Sequence, residues 1–125
     1  FWFFTSGSED EDGEMVIEDL LYIGVAYQQD IRERIADKRN LKAYRQLLYE
    51  ARNFDLYFAF AYIAATEGGQ IPQRLESDVQ CGLIYVNQPS CQNYCREQYH
   101  SDNDNQLIIT NKGDFEPLES VARVP

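Results

Sequence analysis

Between Glu14 and Ile35 the apolar positions recur at three- and four-residue steps: Ile17, Leu20, Leu21, Gly24, Ile31 and Ile35, with Gln28 on the same line. That spacing predicts an amphipathic helix with one buried stripe. Glu14, Glu18 and Asp19 at its start and Arg32, Arg34, Lys38 and Arg39 at its end follow the sense that the helix dipole prefers. Gly24 falls on the stripe, where a missing side chain lets a neighbouring helix approach, at a cost of about 1 kcal/mol relative to Ala. Asn40 reads as a break and N-cap. A second helix is expected from Leu41 to Thr66, with Leu41, Tyr44, Leu48, Ala51, Phe58, Tyr62 and Ala65 along one stripe. Past Leu56 it turns apolar all round, which suits a central, covered element. Gly68-Gly69 caps it and Pro72 prevents its resumption.

The second half has a different pattern. Gly82-Leu83-Ile84-Tyr85-Val86 has strand composition and stops at Asn87-Gln88-Pro89-Ser90. Ser101 to Asn105 forms a turn, Gln106 to Thr110 a second strand, and Asn111-Lys112-Gly113-Asp114 a tight turn. A final edge segment is expected from Phe115, limited by Pro117. The expected fold is α+β, with two long N-terminal helices packed on a small C-terminal antiparallel sheet of two or three short strands bearing a cysteine-containing loop. Residues 1–13 are expected as a flexible acidic lead-in, and 14–125 as one domain. Leu20, Gly24 and Tyr27, followed by Ala36 and Ala43, touch the tetratricopeptide consensus. Nothing comparable recurs one period later, so no repeat array is inferred.

Composition sharpens this picture mainly through charge. The 125 residues carry a formal charge of -10, which argues against direct nucleic-acid binding because phosphate contacts need a basic face. Residues 1–20 hold seven acids and no base, residues 30–55 seven bases and five acids, and the stretch from Glu67 nine acids and four bases. Phe1-Trp2-Phe3-Phe4 precedes the first acidic run. Four residues cannot cross a bilayer, which takes about twenty, so the cluster reads either as the stub of a membrane anchor or as a strand packed on the domain.

Cys81, Cys91 and Cys95 cluster in one short stretch. In an oxidising compartment one bridge is expected, Cys81–Cys91 or Cys81–Cys95, leaving one thiol. In a reducing compartment the alternatives are buried free thiols or a zinc site of Cys81, Cys91, Cys95 and His100, whose gaps loosely resemble the three-cysteine, one-histidine finger format but depart from it at the last two. Asp102, Asp104 and Asp114 fail as a calcium loop, because Leu107 and Gly113 stand where a Gly and a bidentate Glu belong. With one histidine, no recognisable nucleophile–base order and no phosphate loop, neither catalysis nor a cofactor nor a small-molecule substrate is inferred.

Six tyrosines lie on the two expected helices. Tyr22, Tyr49 and Tyr57 fall off the stripes and, with Arg45 and Arg52, compose an aromatic–arginine surface of the kind interfaces favour. The functional expectation is therefore a non-enzymatic protein-interaction or assembly domain. It would be an accessory subunit on the extracytoplasmic side of a membrane, tethered only through an anchor ahead of Phe1. An acidic mimic filling a partner's basic site, and a small zinc-stabilised module, are the alternatives.

Overall fold

A computed structural model describes residues 1–27, 30–63, 73–92, 95–99, 107–114 and 116–124. The chain opens with two strands, β1 (Trp2–Glu9) and β2 (Met15–Gly24), joined as an antiparallel hairpin. Asp10 makes the turn: its carboxylate accepts the amides of Asp12 and Glu14, each at 2.9 Å, and Gly13 takes the left-handed conformation at φ 78°. A short helix α1 (Ile31–Ile35) and a 3-10 turn (Lys38–Asn40) lead into α2 (Leu41–Glu50). Asp30 and Asp37 cap the first two, accepting Arg32 N at 2.7 Å and Arg39 N at 2.9 Å. Then follow β3 (Asp55–Phe60), α3 (Gln73–Asn87), β4 (Leu107–Thr110) and β5 (Val121–Val124).

The first sheet has the order β2-β1-β3, all antiparallel; β4 and β5 form a separate two-stranded sheet. α3 lies between the two. Val79, Cys81, Leu83 and Ile84 join Phe1, Phe3, Leu20 and Ile23 in the larger core cluster, with Leu107 and Ile109 packed against it. Gly82 is where the small sheet comes closest to the helix: a Cβ there would stand 3.3 Å from Ile109 and 3.5 Å from Leu107 and Val124. The opposite face of the large sheet carries α2, through a cluster of Leu21, Leu47, Ala51 and Cys91 flanked by Phe4, Tyr22 and Tyr44.

The fold is α+β, but it does not have two long N-terminal helices on a C-terminal sheet; it begins with strands and has one long helix, α3. The stretch read as the first helix is mainly β2. Two β-bulges explain why it resembled one: the register slips between Phe4 and Thr5 and between Ser6 and Gly7, leaving Leu21 and Glu18 as extra residues on β2. Each slip turns a two-residue alternation into a three-residue step, so Ile17, Leu20, Leu21 and Ile23 imitate helical spacing. The stretch read as the second helix is helical only to Glu50, and its apolar continuation is β3, built from β-favouring Tyr and Phe. Gly82–Val86, read as a strand, lies inside α3, whose burial on two sides removes the polar positions that mark a helix. Of the C-terminal readings, β4 matches its predicted span at Leu107–Thr110, and Gly113 takes φ 88° in the turn; the final strand comes later, at Val121. Gly68, Gly69, Pro72, Ser101 to Asn105 and Phe115 lie outside the described residues.

Trp2–Glu9, expected within a flexible lead-in, is the central strand of the large sheet. Trp2 is 1% exposed and sits directly opposite Gly24, where an added Cβ would fall 2.0 Å from the indole ring. Gly24 is thus the gap that seats Trp2, between strands and not between helices. Gly24→Ala is expected to cost at least the 1–3 kcal/mol or so of an overpacked core. A lowered urea midpoint and a red-shifted emission from this single tryptophan are the readouts; an unchanged midpoint contradicts the packing.

Candidate interaction surface

A three-stranded sheet has two outer edges, and an unpaired edge presents a row of amides and carbonyls to whatever can pair with them. Here the two edges are treated differently. On the β2 side, Ile23 points its N–H and C=O away from β1. The side-chain amide of Gln92 meets both, accepting from Ile23 N at 2.9 Å and donating to Ile23 O at 2.8 Å. Gln80 of α3 donates to the same carbonyl at 3.1 Å. The backbone amides of Ser90 and Cys91 donate to Leu20 O at 3.1 Å and Leu21 O at 3.0 Å. The segment 90–92 therefore stands in for a fourth strand. A Cys81–Cys95 disulfide, with a Cα–Cα distance of 5.3 Å, ties that segment back to α3.

The β3 side carries no such cover among the described residues. Phe1 and Ala61 exchange both backbone hydrogen bonds, 2.8 and 3.0 Å, which sets the phase of the β1–β3 ladder. By antiparallel alternation Ala59, Tyr57 and Asp55 point their amides at β1, and Leu56, Phe58 and Phe60 point theirs outward. The outward-pointing residues also share one face of the sheet, the α2 side, as cross-strand partners of Ser6, Phe4 and Trp2. Their side chains are exposed, Phe58 to 45% and Phe60 to 71%, and Tyr62 just beyond to 86%. A row of rings runs from the domain onto this edge: Tyr44 to Phe4 at 6.0 Å, Phe4 to Phe58 at 5.4 Å, and Phe58 to Phe60 at 6.4 Å. Tyr44 anchors the inner end, its hydroxyl donating to Ile35 O.

One end of the edge is acidic. Asp55 opens β3 opposite Gly7, and the β1–β2 turn with Glu9 to Glu14 lies beyond it. Desolvation pushes the Tyr57 hydroxyl up, and the nearby carboxylates of Asp55 and Glu9 add to this.

The residues expected from sequence to share one surface are distributed. Tyr49 and Arg52 meet at the end of α2, the guanidinium 4.2 Å above the ring and its Nη1 donating to Tyr49 O at 2.8 Å. Arg45 is exposed on the same helix. Tyr22 is half-buried on β2 against α2, and Tyr57 lies on the opposite face of the sheet, across from Thr5. The zinc set loses two members, because Cys81 and Cys95 are bonded to each other; Cys91 is the free, buried thiol, and His100 lies outside the described residues. Of the calcium candidates, Asp114 is exposed beside Gly113, and Asp102 and Asp104 also lie outside them. Leu56, Phe58, Phe60 and Gln92 escaped the sequence reading. The available signal was the alternation of Leu56, Phe58 and Phe60, which an all-apolar stretch conceals.

Gln92→Ala strips the partner from the buried Ile23 N–H and is expected to lower the unfolding free energy by about 1–3 kcal/mol, measured by denaturant titration; no change contradicts cover of Ile23 by this side chain. Burial raises the Cys91 thiol above its ordinary value of 9.0, with the Glu50 and Asp19 charges adding to it. The folded state thus holds that proton more tightly than the unfolded chain. Its contribution to stability is complete below pH 9.0 and lost as pH rises through the higher folded value. Thiol labelling at pH 8 should accordingly require unfolding. No protein-family model, curated protein or solved structure matches this chain.

Proposed function

We propose that this chain is a non-enzymatic protein-interaction domain, and that β3 is where it takes hold of a partner. One observation carries the reading: the three β3 residues whose backbone groups point outward, Leu56, Phe58 and Phe60, are also the ones in that strand whose large aliphatic or phenyl side chains are exposed. A strand laid along β3 gains ladder hydrogen bonds and side-chain burial from the same residues. That is the physics of strand addition, in which the backbone supplies affinity and alternate side chains supply specificity. Fully covering an exposed Phe is worth at most about 1.5–3 kcal/mol, and less for Phe58, whose surface is already partly covered. The cover that residues 90–92 lay over residues 20–23 of β2 supports the assignment, since no comparable cover lies along β3 among the described residues.

The Cys81–Cys95 bridge supports an oxidising, extracytoplasmic setting for this interaction. The accessory role belongs to the same proposal, as a domain that holds a partner segment and does no chemistry on it.

Selection from a displayed library of random peptides tests the reading. Enriched sequences should alternate apolar residues, and Phe58→Lys with Phe60→Lys should weaken their binding at least tenfold while the variant still unfolds in one cooperative urea transition. Peptides that bind wild type and double variant equally would sink the proposal.

A further inference from the structure

The edge is chemically polar along its length, and that polarity describes its occupant. β3 runs from Asp55, at the end next to the acidic β1–β2 turn, towards Phe58 and Phe60, with Tyr62 beyond. Residues 1–20 contribute seven acids and no base to the hairpin that borders the Asp55 end. Arg52, the base nearest to β3 in sequence, is turned onto the Tyr49 ring and carbonyl. Asp55 faces the α3 side of the sheet and the three apolar residues face the α2 side.

Resting on the interaction reading above, we infer that the occupant is an extended, basic segment of another protein, paired antiparallel to β3. Its first residues alternate apolar side chains over Phe60, Phe58 and Leu56, and Lys or Arg follows at the Asp55 end. Antiparallel pairing is the more stable ladder per residue, and it places the apolar part of the segment before the basic part. Cross-strand partners share a face, so apolar positions one, three and five align with Phe60, Phe58 and Leu56, and position six, on the other face, meets Asp55. A second copy of this chain is the poorer fit. At a net charge of -10 the copies repel, and two antiparallel β3 strands in register about Phe58 set Asp55 against Ala61 instead of a base.

The test uses the full chain and three labelled peptides in fluorescence anisotropy at low salt: Val-Thr-Val-Thr-Val-Lys-Thr-Lys, its twin with Glu for Lys, and the first sequence in reverse order. Amide chemical shifts locate the binding. The basic peptide should bind at least tenfold more tightly than the acidic twin and more tightly than the reversed one, shifting the Leu56, Phe58 and Phe60 amides. The preference over the twin should shrink in Asp55→Asn and at high salt, where the screening length falls to about 3 Å at 1 M. Equal binding of the basic and acidic peptides at β3 overturns the basic-segment inference and leaves the interaction reading standing. Shifts confined to other elements, or no binding by any peptide, overturn both. Self-association at the same concentrations that Phe58→Lys abolishes makes the second copy the occupant and overturns the inference.

Discussion

Gln92 and Ile23 make the contact on which the rest of this architecture turns. A side-chain amide has the same donor and acceptor as a peptide group, so Gln92 satisfies the outward face of Ile23 without contributing a strand. The pairing holds the segment 90–92 along β2, and the Cys81–Cys95 bridge fixes the end of that segment to α3. Helix, loop and sheet are thereby closed into one unit around Ile23 and Ile84, both fully buried. A bridge closing a loop of this size removes about 3 kcal/mol of chain entropy from the unfolded state. That is a substantial part of the total stability of a domain of ordinary size.

With residues 20–23 of the β2 edge covered, the asymmetry of the sheet becomes its main chemical feature. β1 is paired on both sides; its Phe3 belongs to the core under α3, and its Phe4 packs against the core under α2. Among the described residues β3 is bonded on one side only, and its outer row of backbone groups is accompanied by exposed phenylalanines. Natural sheets blunt such edges with lysine, proline or a bulge. None of these occurs between Asp55 and Phe60; the strand carries a single acid at its first position. An edge left in this state is what the proposed strand addition rests on, and the acidic end with its hairpin is what the proposed basic segment would meet.

The sequence conveyed the α+β class, the tight turn at Gly113, the strand at Leu107 and a local cysteine bridge, because each rests on short-range chemistry. It concealed the sheet for reasons that can be named. The bulges at Leu21 and Glu18 convert strand alternation into helical steps. The aromatic run of β3 is continuous because Tyr57 and Ala59 on the other face are also apolar. α3 is sandwiched between two sheets, so its Leu83-Ile84-Tyr85-Val86 reads as a strand. Gly24 reads in the sequence as a close-packing position, yet its partner is an indole on a neighbouring strand. Of the surface expected on helical faces, Tyr49 and Arg52 lie together and Tyr22 and Tyr57 lie elsewhere, while a sheet edge can be located only once strand order is known.

Native-state hydrogen exchange, read residue by residue, tests the unequal edges most directly. The amides of Ile23, Tyr57 and Ala59 should exchange slowly, because each has a partner on the inner ladder or on Gln92. Those of Leu56, Phe58 and Phe60 should exchange by orders of magnitude faster in the isolated chain. Equal protection of both sets along β3 would mean that its outer side is already covered, contradicting an open edge.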